Sequence, residues 1–368
     1  MAANNSSQMC IGKGSIPVLN ISPIFYTTYE LTNDPLKQQS VNVLVKDVKN
    51  AMENVGFMQI TSPGFPSNLC KQLYRVQKEY FALPISEKTK IKMSPEYPYG
   101  YESNEILSMS FDESDEDQGH SRLLTKNINY KADHKDFKET YQVCLSKKYI
   151  SNAKIPKRPE MFGKVLSDYY DYMAELSFNL MELFALALDL PREFFNNKID
   201  CHQSSLRLLS YPPVQNLDAE SKYRSDRIKI RASEHSDYGI CTILNQDSNG
   251  GLQIRRSQNL KRNSDWEDVA PLKEHFVVNI GDMMMRWTND KWKSTVHRVV
   301  AKEENYTQTR QSAAFFFNAN ADALIETIES CCVNAKNKYK NVIAGEYLRM
   351  KSQSAMNNPV NEQQMKPK

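Results

Sequence analysis

The hydrophobic and polar positions of this chain fall into two textures, and the change comes near Pro191. Before it, apolar residues recur every three or four positions. Val41, Leu44, Val45, Val48, Met52 and Val55 mark a helix over 36–55, with Gly56 placed to end it in a left-handed turn. Short strands are expected at 16–21 and 57–60. Ser67 is placed to cap a second helix that carries Leu69, Leu73, Val76 and Tyr80 and stops near Pro84. The longest stripe is Phe162, Leu166, Tyr169, Met173, Leu176, Leu180, Leu183 and Ala187, which predicts one helix over 160–188 with a single buried face. A stripe of this kind reads as core. The aromatic run 97–101 reads as a turn, and 104–146 as polar surface loops with a strand or two.

After Pro191 the runs become short and alternating, at 205–211, 228–232, 240–244, 252–254, 276–280, 295–300 and 311–317. Asn249-Gly250-Gly251 and Gly281-Asp282 punctuate them. Many short strands between regular turns predict a sandwich or barrel, and a double-sheet jelly roll closes such a set. The expected class is therefore mainly β with flanking helices. Its expected divisions are a flexible 1–14, an N-terminal region 15–135, a linking segment with the long helix 136–200, a β core 201–325, a C-terminal helical segment 326–350 and a flexible tail 351–368.

Composition acts mainly by exclusion. The 368 residues carry 47 basic and 44 acidic side chains for a net +3, with no concentrated basic patch of the kind nucleic acid requires. The most apolar stretch, around 180–190, is broken by Glu182 and Asp189 and is too short to span a bilayer. Residues 1–14 lack an apolar signal-peptide core. Seven cysteines without a repeated spacing read as reduced thiols. These features lead us to expect a cytoplasmic monomer that acts on a small molecule, with no nucleic-acid or membrane partner.

Candidate chemistry lies within 235–312. His235 and Asp237 stand two residues apart, so one extended strand end would present both on one face. His297 falls in a valine-rich strand, on the face shared by Thr295 and Val299, and there it needs a hydrogen bond or a metal. Two histidines and one carboxylate can occupy a face of an octahedral ion and leave the rest open, as non-haem Fe(II) requires. The competing readings are a surface His-x-Asp and a hydrogen-bonded core histidine. Arg310 and Ser312 share one strand face, with Phe315 and Phe317 on the other. A guanidinium fork beside a hydroxyl suits a bidentate carboxylate, which could belong to a ligand or to an internal acid. Arg298 alternates away from His297 and reads as structural. Arg207, Arg231 and Arg255 lie on core strands and could answer a substrate carboxylate, although salt-bridged or solvated roles are the commoner ones. Tyr99 and Tyr101 could line a pocket mouth or simply pack.

From about residue 16 to 349 the chain resembles the Fe(II)- and 2-oxoglutarate-dependent dioxygenases of the isopenicillin-N-synthase-like family. The resemblance rests on Ile16-Pro17-Val18, Asn54-Val55-Gly56-Phe57-Met58-Gln59-Ile60, Tyr80-Phe81-Ala82-Leu83-Pro84 and Gly100-Tyr101. It continues through Ser210-Tyr211-Pro212-Pro213, His235-Ser236-Asp237, Gly250-Gly251-Leu252-Gln253 and Val278-Asn279-Ile280-Gly281-Asp282. Arg286-Trp287-Thr288-Asn289, 293–299 and Arg310-Gln311-Ser312 complete it. It implies a double-stranded β-helix (jelly roll) backed by helices, with 15–135 as the non-haem dioxygenase N-terminal region. It implies that His235, Asp237 and His297 hold Fe(II), and that Arg310, Ser312 and Tyr211 receive the remote carboxylate of 2-oxoglutarate. O₂ would be the oxidant, and ascorbate a possible stimulant. Leu209 stands where many plant members have Asn, and the connection through 302–305 is longer than usual.

The implied activity couples decarboxylation of 2-oxoglutarate to C–H oxidation of a small, amino-acid-derived or carboxylate-bearing metabolite. Hydroxylation, desaturation and ring closure remain open. The substrate-binding residues are not legible, although the regions 99–111 and 347–349 would close the pocket. Two rivals remain at this point: an oxidase of the same fold that uses no 2-oxoglutarate, and a non-catalytic small-molecule binding protein.

Overall fold

The computed structural model describes residues 16–26, 28–61, 64–94, 97–103, 136–214, 229–256, 266–332 and 336–356. The helix Pro35–Asn54 begins where Asp34 leaves extended backbone and accepts from the amides of Leu36 and Lys37. It ends at Gly56, whose φ of +72° and amide bond to the Ala51 carbonyl close the last turn. The second helix, Ser67–Phe81, starts without the expected cap. Its flanking residue is Pro66, and the Ser67 hydroxyl instead donates to the Glu274 carboxylate. The long helix Phe162–Ala187 coincides with the apolar stripe. It packs on the sheet, where Tyr170 meets Phe315 edge-on at 5.0 Å and Phe178 meets Phe317 at 5.8 Å.

The strands are β1 (Val18–Asn20), β2 (Phe57–Thr61), β3 (Gly100–Ser103), β4 (Glu139–Val143), β5 (Ser205–Tyr211), β6 (Lys229–His235) and β7 (Cys241–Gln246). They continue as β8 (Leu252–Arg255), β9 (Trp266–Asp268), β10 (Phe276–Ile280), β11 (His297–Ala301), β12 (Arg310–Phe317), β13 (Leu324–Ile325) and β14 (Val342–Ile343). The large sheet runs β1-β2-β10-β7-β12-β5-β4-β3, a second runs β6-β11-β8-β9, and β13 pairs with β14 in a small third. Apart from the parallel β1–β2 pair, the neighbours within them are antiparallel. This is the helix-backed jelly roll expected above.

Alternation along the strands separates two cores. Leu206, Leu208, Ile243, Val278, Phe315 and Phe317 face the helices. Phe57, Leu209, Tyr211, Ala232, Leu252, Ile254, Val277, Val299 and Ala314 fill the space between the sheets. Arg310 and Ser312 share the parity of Ala314, so they face that inner space while Phe315 and Phe317 pack outward.

Several finer expectations change. The aromatic run 97–101 leads into β3, where buried Tyr101 donates to Glu139, itself paired with Lys88; this tyrosine packs. The last helix, Ala344–Met356, runs past residue 350, into the stretch read as tail. Residues 104–135 of the stretch read as surface loops lie outside the described residues, and β4 supplies a strand in the remainder. Among the described residues, no helix is long and apolar enough to cross a membrane.

Candidate active site

His235 ends β6 and His297 begins β11, and the two are direct partners across these strands. Their ring centroids lie 4.3 Å apart. Asp237 does not extend β6 as the two-residue spacing implies. It sits in the loop that follows, and that loop is tied down by backbone. The amide of Asp282 donates to the Asp237 carbonyl at 2.7 Å, Met283 donates to Tyr238 and Gly239, and Gly281 donates to Ile240. The first turn of the helix Asp282–Trp287 thus spends its otherwise unpaired amides on holding the loop. A Cβ at Gly281 would lie 2.3 Å from the Gly239 carbonyl and 3.0 Å from that of Asp237. Gly281→Ala should therefore cost on the order of 1–3 kcal/mol, read as a lowered denaturant midpoint; an unchanged midpoint would mean that the loop gives way freely.

The three side chains converge. One ligand atom from each lies within 4.8 Å of the others. Asp237 Oδ1 is 3.9 Å from His235 Nε2 and 3.7 Å from His297 Nε2. His235 Nδ1 bonds the Ser233 carbonyl at 2.7 Å, and His297 Nδ1 bonds that of Thr295 at 3.0 Å. A carbonyl can only accept, so each Nδ1 carries the proton and each Nε2 keeps its lone pair for an ion. Burial, reinforced by the neighbouring His297, pushes the His235 imidazole down to about 4, which keeps it neutral near pH 7. Burial pushes the Asp237 carboxyl up. The facing imidazoles of His297 and His235, with bonds from Asn279 and Thr242, outweigh that and hold it below the usual carboxylate range.

Thr242 and Asn279 both bond Asp237 Oδ2, at 2.6 and 2.8 Å. They are cross-strand partners on β7 and β10, so a single level of the sheet supplies both donors. With Oδ2 occupied, Oδ1 is the oxygen left for an ion. The donor set and its outer hydrogen bonds fit a facially bound divalent metal. Neither supporting residue stands out in the sequence beyond being polar within an apolar strand.

Arg310 is 1% exposed. Its Nε donates to the Gly250 carbonyl at 2.6 Å, Nη1 to Ser312 Oγ at 3.1 Å and Nη2 to Gln246 Oε1 at 3.3 Å. Its guanidinium lies 4.9 Å from the Tyr211 ring centroid, and Arg310 and Tyr211 are register partners. Among the described residues no carboxylate is within ion-pair distance of it. Within those residues there is thus no internal Arg–carboxylate pair, and a buried cation with only neutral partners among them fits an anionic ligand. Gln246 and Thr242 lie on one face of β7, four residues or about 13 Å apart. A short diacid could engage both regions once the side chains have taken up part of that distance.

The other arginines separate cleanly. Arg298 Nε donates to Gln253, its guanidinium stacks on Trp266 at 4.0 Å, and it lies 3.6 Å from Glu234, so the outward, structural reading holds. Arg255 pairs with Glu234 at 3.1 Å. Arg207 donates to Gln142 and stands over Phe316. Of the core-strand arginines Arg207, Arg231 and Arg255, it is Arg231 that bonds the Pro212 and Gln308 carbonyls, at the Arg310 end of the inner space.

Comparison with known proteins agrees with this geometry. Residues 201–319 match the family described as the 2OG-Fe(II) oxygenase superfamily, and 16–148 match the non-haem dioxygenase in morphine synthesis N-terminal family. A homoarginine-6-hydroxylase from Glycine max is 30% identical over 350 residues, covering 91% of this chain and 95% of its own. A 2-oxoglutarate-Fe(II) type oxidoreductase from Emericella nidulans is 29% identical, covering 86% and 83%. The crystal structure of a full-length Neurospora crassa protein in complex with alpha-KG and thymine superposes with a TM-score of 0.72 at 26% identity, covering 93% and 97%. The chain belongs to the isopenicillin-N-synthase-like 2-oxoglutarate oxygenase superfamily and is an Fe(II)- and 2-oxoglutarate-dependent oxidoreductase.

Proposed function

We propose that His235, Asp237 and His297 hold the iron, that Arg310, Ser312 and Tyr211 receive the remote carboxylate of 2-oxoglutarate, and that the enzyme oxidises a C–H bond of a small amino-acid-derived or carboxylate-bearing metabolite. The observation that carries this reading is the convergence of the three ligand atoms in the inner space that also holds the buried Arg310, which has no carboxylate partner among the described residues. Bound Fe(II) supplies the redox chemistry that couples decarboxylation of 2-oxoglutarate, giving succinate and CO₂, to substrate oxidation.

The chain's own contribution is position and exclusion of water. The Ser233 and Thr295 carbonyls fix the imidazole tautomers. Thr242 and Asn279 fix the carboxylate, leaving one oxygen for the ion. Thr242→Val and Asn279→Leu should each weaken Mn(II) binding by roughly 10–100-fold, measured by metal titration of the apoprotein; unchanged affinity would make these bonds incidental.

The relatives support the substrate class, since homoarginine-6-hydroxylases from Glycine max, Oryza sativa and Arabidopsis thaliana are among those aligned along most of this chain. The helix Ala344–Met356 brings Lys351 over the Tyr238 ring, one residue beyond Asp237, and within 3.5 Å of the Asp282 carboxylate. The test is 2-oxoglutarate-dependent succinate release across basic amino acids, other amino-acid derivatives, thymine and neutral flavonoid-like compounds. We expect turnover in the first two groups. Turnover confined to thymine or to the neutral compounds would overturn the substrate assignment and leave the co-substrate assignment standing.

A further inference from the structure

Arg231 is 2% exposed, and among the described residues no carboxylate lies within ion-pair distance of it. Its Nη2 donates to the Gln308 carbonyl at 3.0 Å and the Pro212 carbonyl at 3.4 Å. Its Nε is buried without an acceptor among the described residues. Those two carbonyls identify the location: Pro212 directly follows Tyr211, and Gln308 precedes Arg310 by two residues. The guanidinium is therefore anchored beside the strand ends that carry both candidate carboxylate-binding groups.

The backbone gives a reason for this placement. From His235 to Ala232 β6 uses one residue more than β11 uses from His297 to Val299, and a second shift falls between Val299 and Val300. Arg231 lies between Ala232 and Ile230, the partners on either side of that second shift. Irregularities of this kind re-aim a side chain that simple alternation would place elsewhere.

Charge makes the arrangement incomplete as it stands. Two buried guanidiniums repel one another, and after burial itself the presence of Arg310 is the main influence lowering the Arg231 pKa. Asp247 acts favourably on Arg231 from beyond ion-pair distance, while its oxygens accept from the amides of Gln311 and Asn249. Among the described residues, one acid set against two cations leaves a buried positive charge. A buried cation with a free N–H and no anion of its own calls for one from a ligand.

We infer that Arg231 is a second cationic determinant of the co-substrate site, acting with Arg310 on the remote carboxylate of 2-oxoglutarate. This rests on the co-substrate assignment proposed above. Arg231 thereby raises the preference of the site for a diacid over a 2-oxo acid with an uncharged tail.

The test uses the full-length protein loaded with Mn(II), titrated calorimetrically with 2-oxoglutarate and with 2-oxopentanoate, which has the same five-carbon chain ending in a methyl group. Arg231→Leu should weaken 2-oxoglutarate binding about tenfold or more, as expected for loss of a charge-assisted contact, and leave 2-oxopentanoate binding nearly unchanged. Arg231→Lys should recover part of the diacid preference. An equal loss for both acids would indicate a purely structural tie to Gln308 and Pro212 and overturn the inference. So would unaltered 2-oxoglutarate affinity. An Arg310→Leu control separates the levels. If that variant loses diacid preference and Arg231→Leu does not, only the Arg231 inference fails. If neither does, the assignment of the pocket fails with it. Should Arg231→Leu not fold, Arg231→Gln, which can keep a bond to one carbonyl, carries the same comparison.

Discussion

Alanine at His235, Asp237 or His297 is expected to abolish turnover, with a loss on the order of 10³-fold or more, or about 4 kcal/mol of barrier. Each side chain supplies one atom to a three-atom set, and no other cluster of potential metal ligands is found among the described residues. The fold should survive. His235 and His297 sit at strand ends, and the loop carrying Asp237 is held through main-chain bonds that the substitution leaves in place. Asp237→Ala is the costliest of the three for stability, because Thr242 and Asn279 both lose their acceptor. Leaving such donors unpaired costs about 1–3 kcal/mol. Iron content, circular dichroism and turnover measured together check this. A variant with near-normal activity and stoichiometric iron would remove its residue from the site.

Arg310→Lys is expected to raise the concentration of 2-oxoglutarate needed for half-maximal rate about tenfold or more, for a loss of roughly 1.5–3 kcal/mol. The guanidinium uses its three nitrogens on Gly250, Ser312 and Gln246, so its plane is fixed before any ligand arrives. A lysine ammonium can replace the charge but not the planar two-pronged donor. It would also leave the Gly250 carbonyl and Gln246 to find other partners. Steady-state rates at varied 2-oxoglutarate measure the effect. An unchanged requirement would assign the remote carboxylate to another group, Arg231 being the nearest candidate.

Much of the fold is legible in the chain because it depends on periodicity. The stripe from Phe162 to Ala187 is the buried face of the long helix, and the alternation of 311–317 correctly puts Arg310 and Ser312 opposite Phe315 and Phe317. The same parity identifies Arg298 as structural. Where periodicity breaks, legibility ends. Spacing alone puts His235 and Asp237 on one strand, yet β6 stops at His235 and Asp237 owes its position to amides more than forty residues away. Ser67 has the form of a cap, but its hydroxyl has a better use on Glu274. Thr242 and Asn279 cannot be singled out from the chain, since their role exists only through the β7–β10 register. Arg231 looks like Arg207 and Arg255 in sequence because all three lie on core strands. The register shifts in β6 that distinguish it leave no mark in hydropathy.

One inner space holding both a metal and a chelating 2-oxo acid is tested most directly by anaerobic titration of 2-oxoglutarate into the Fe(II)-loaded protein. The expected result is a visible charge-transfer band that saturates at one equivalent, is absent in Asp237→Ala, and needs markedly more 2-oxoglutarate in Arg310→Lys. A protein that binds Fe(II) stoichiometrically yet shows no band at any 2-oxoglutarate concentration would contradict it.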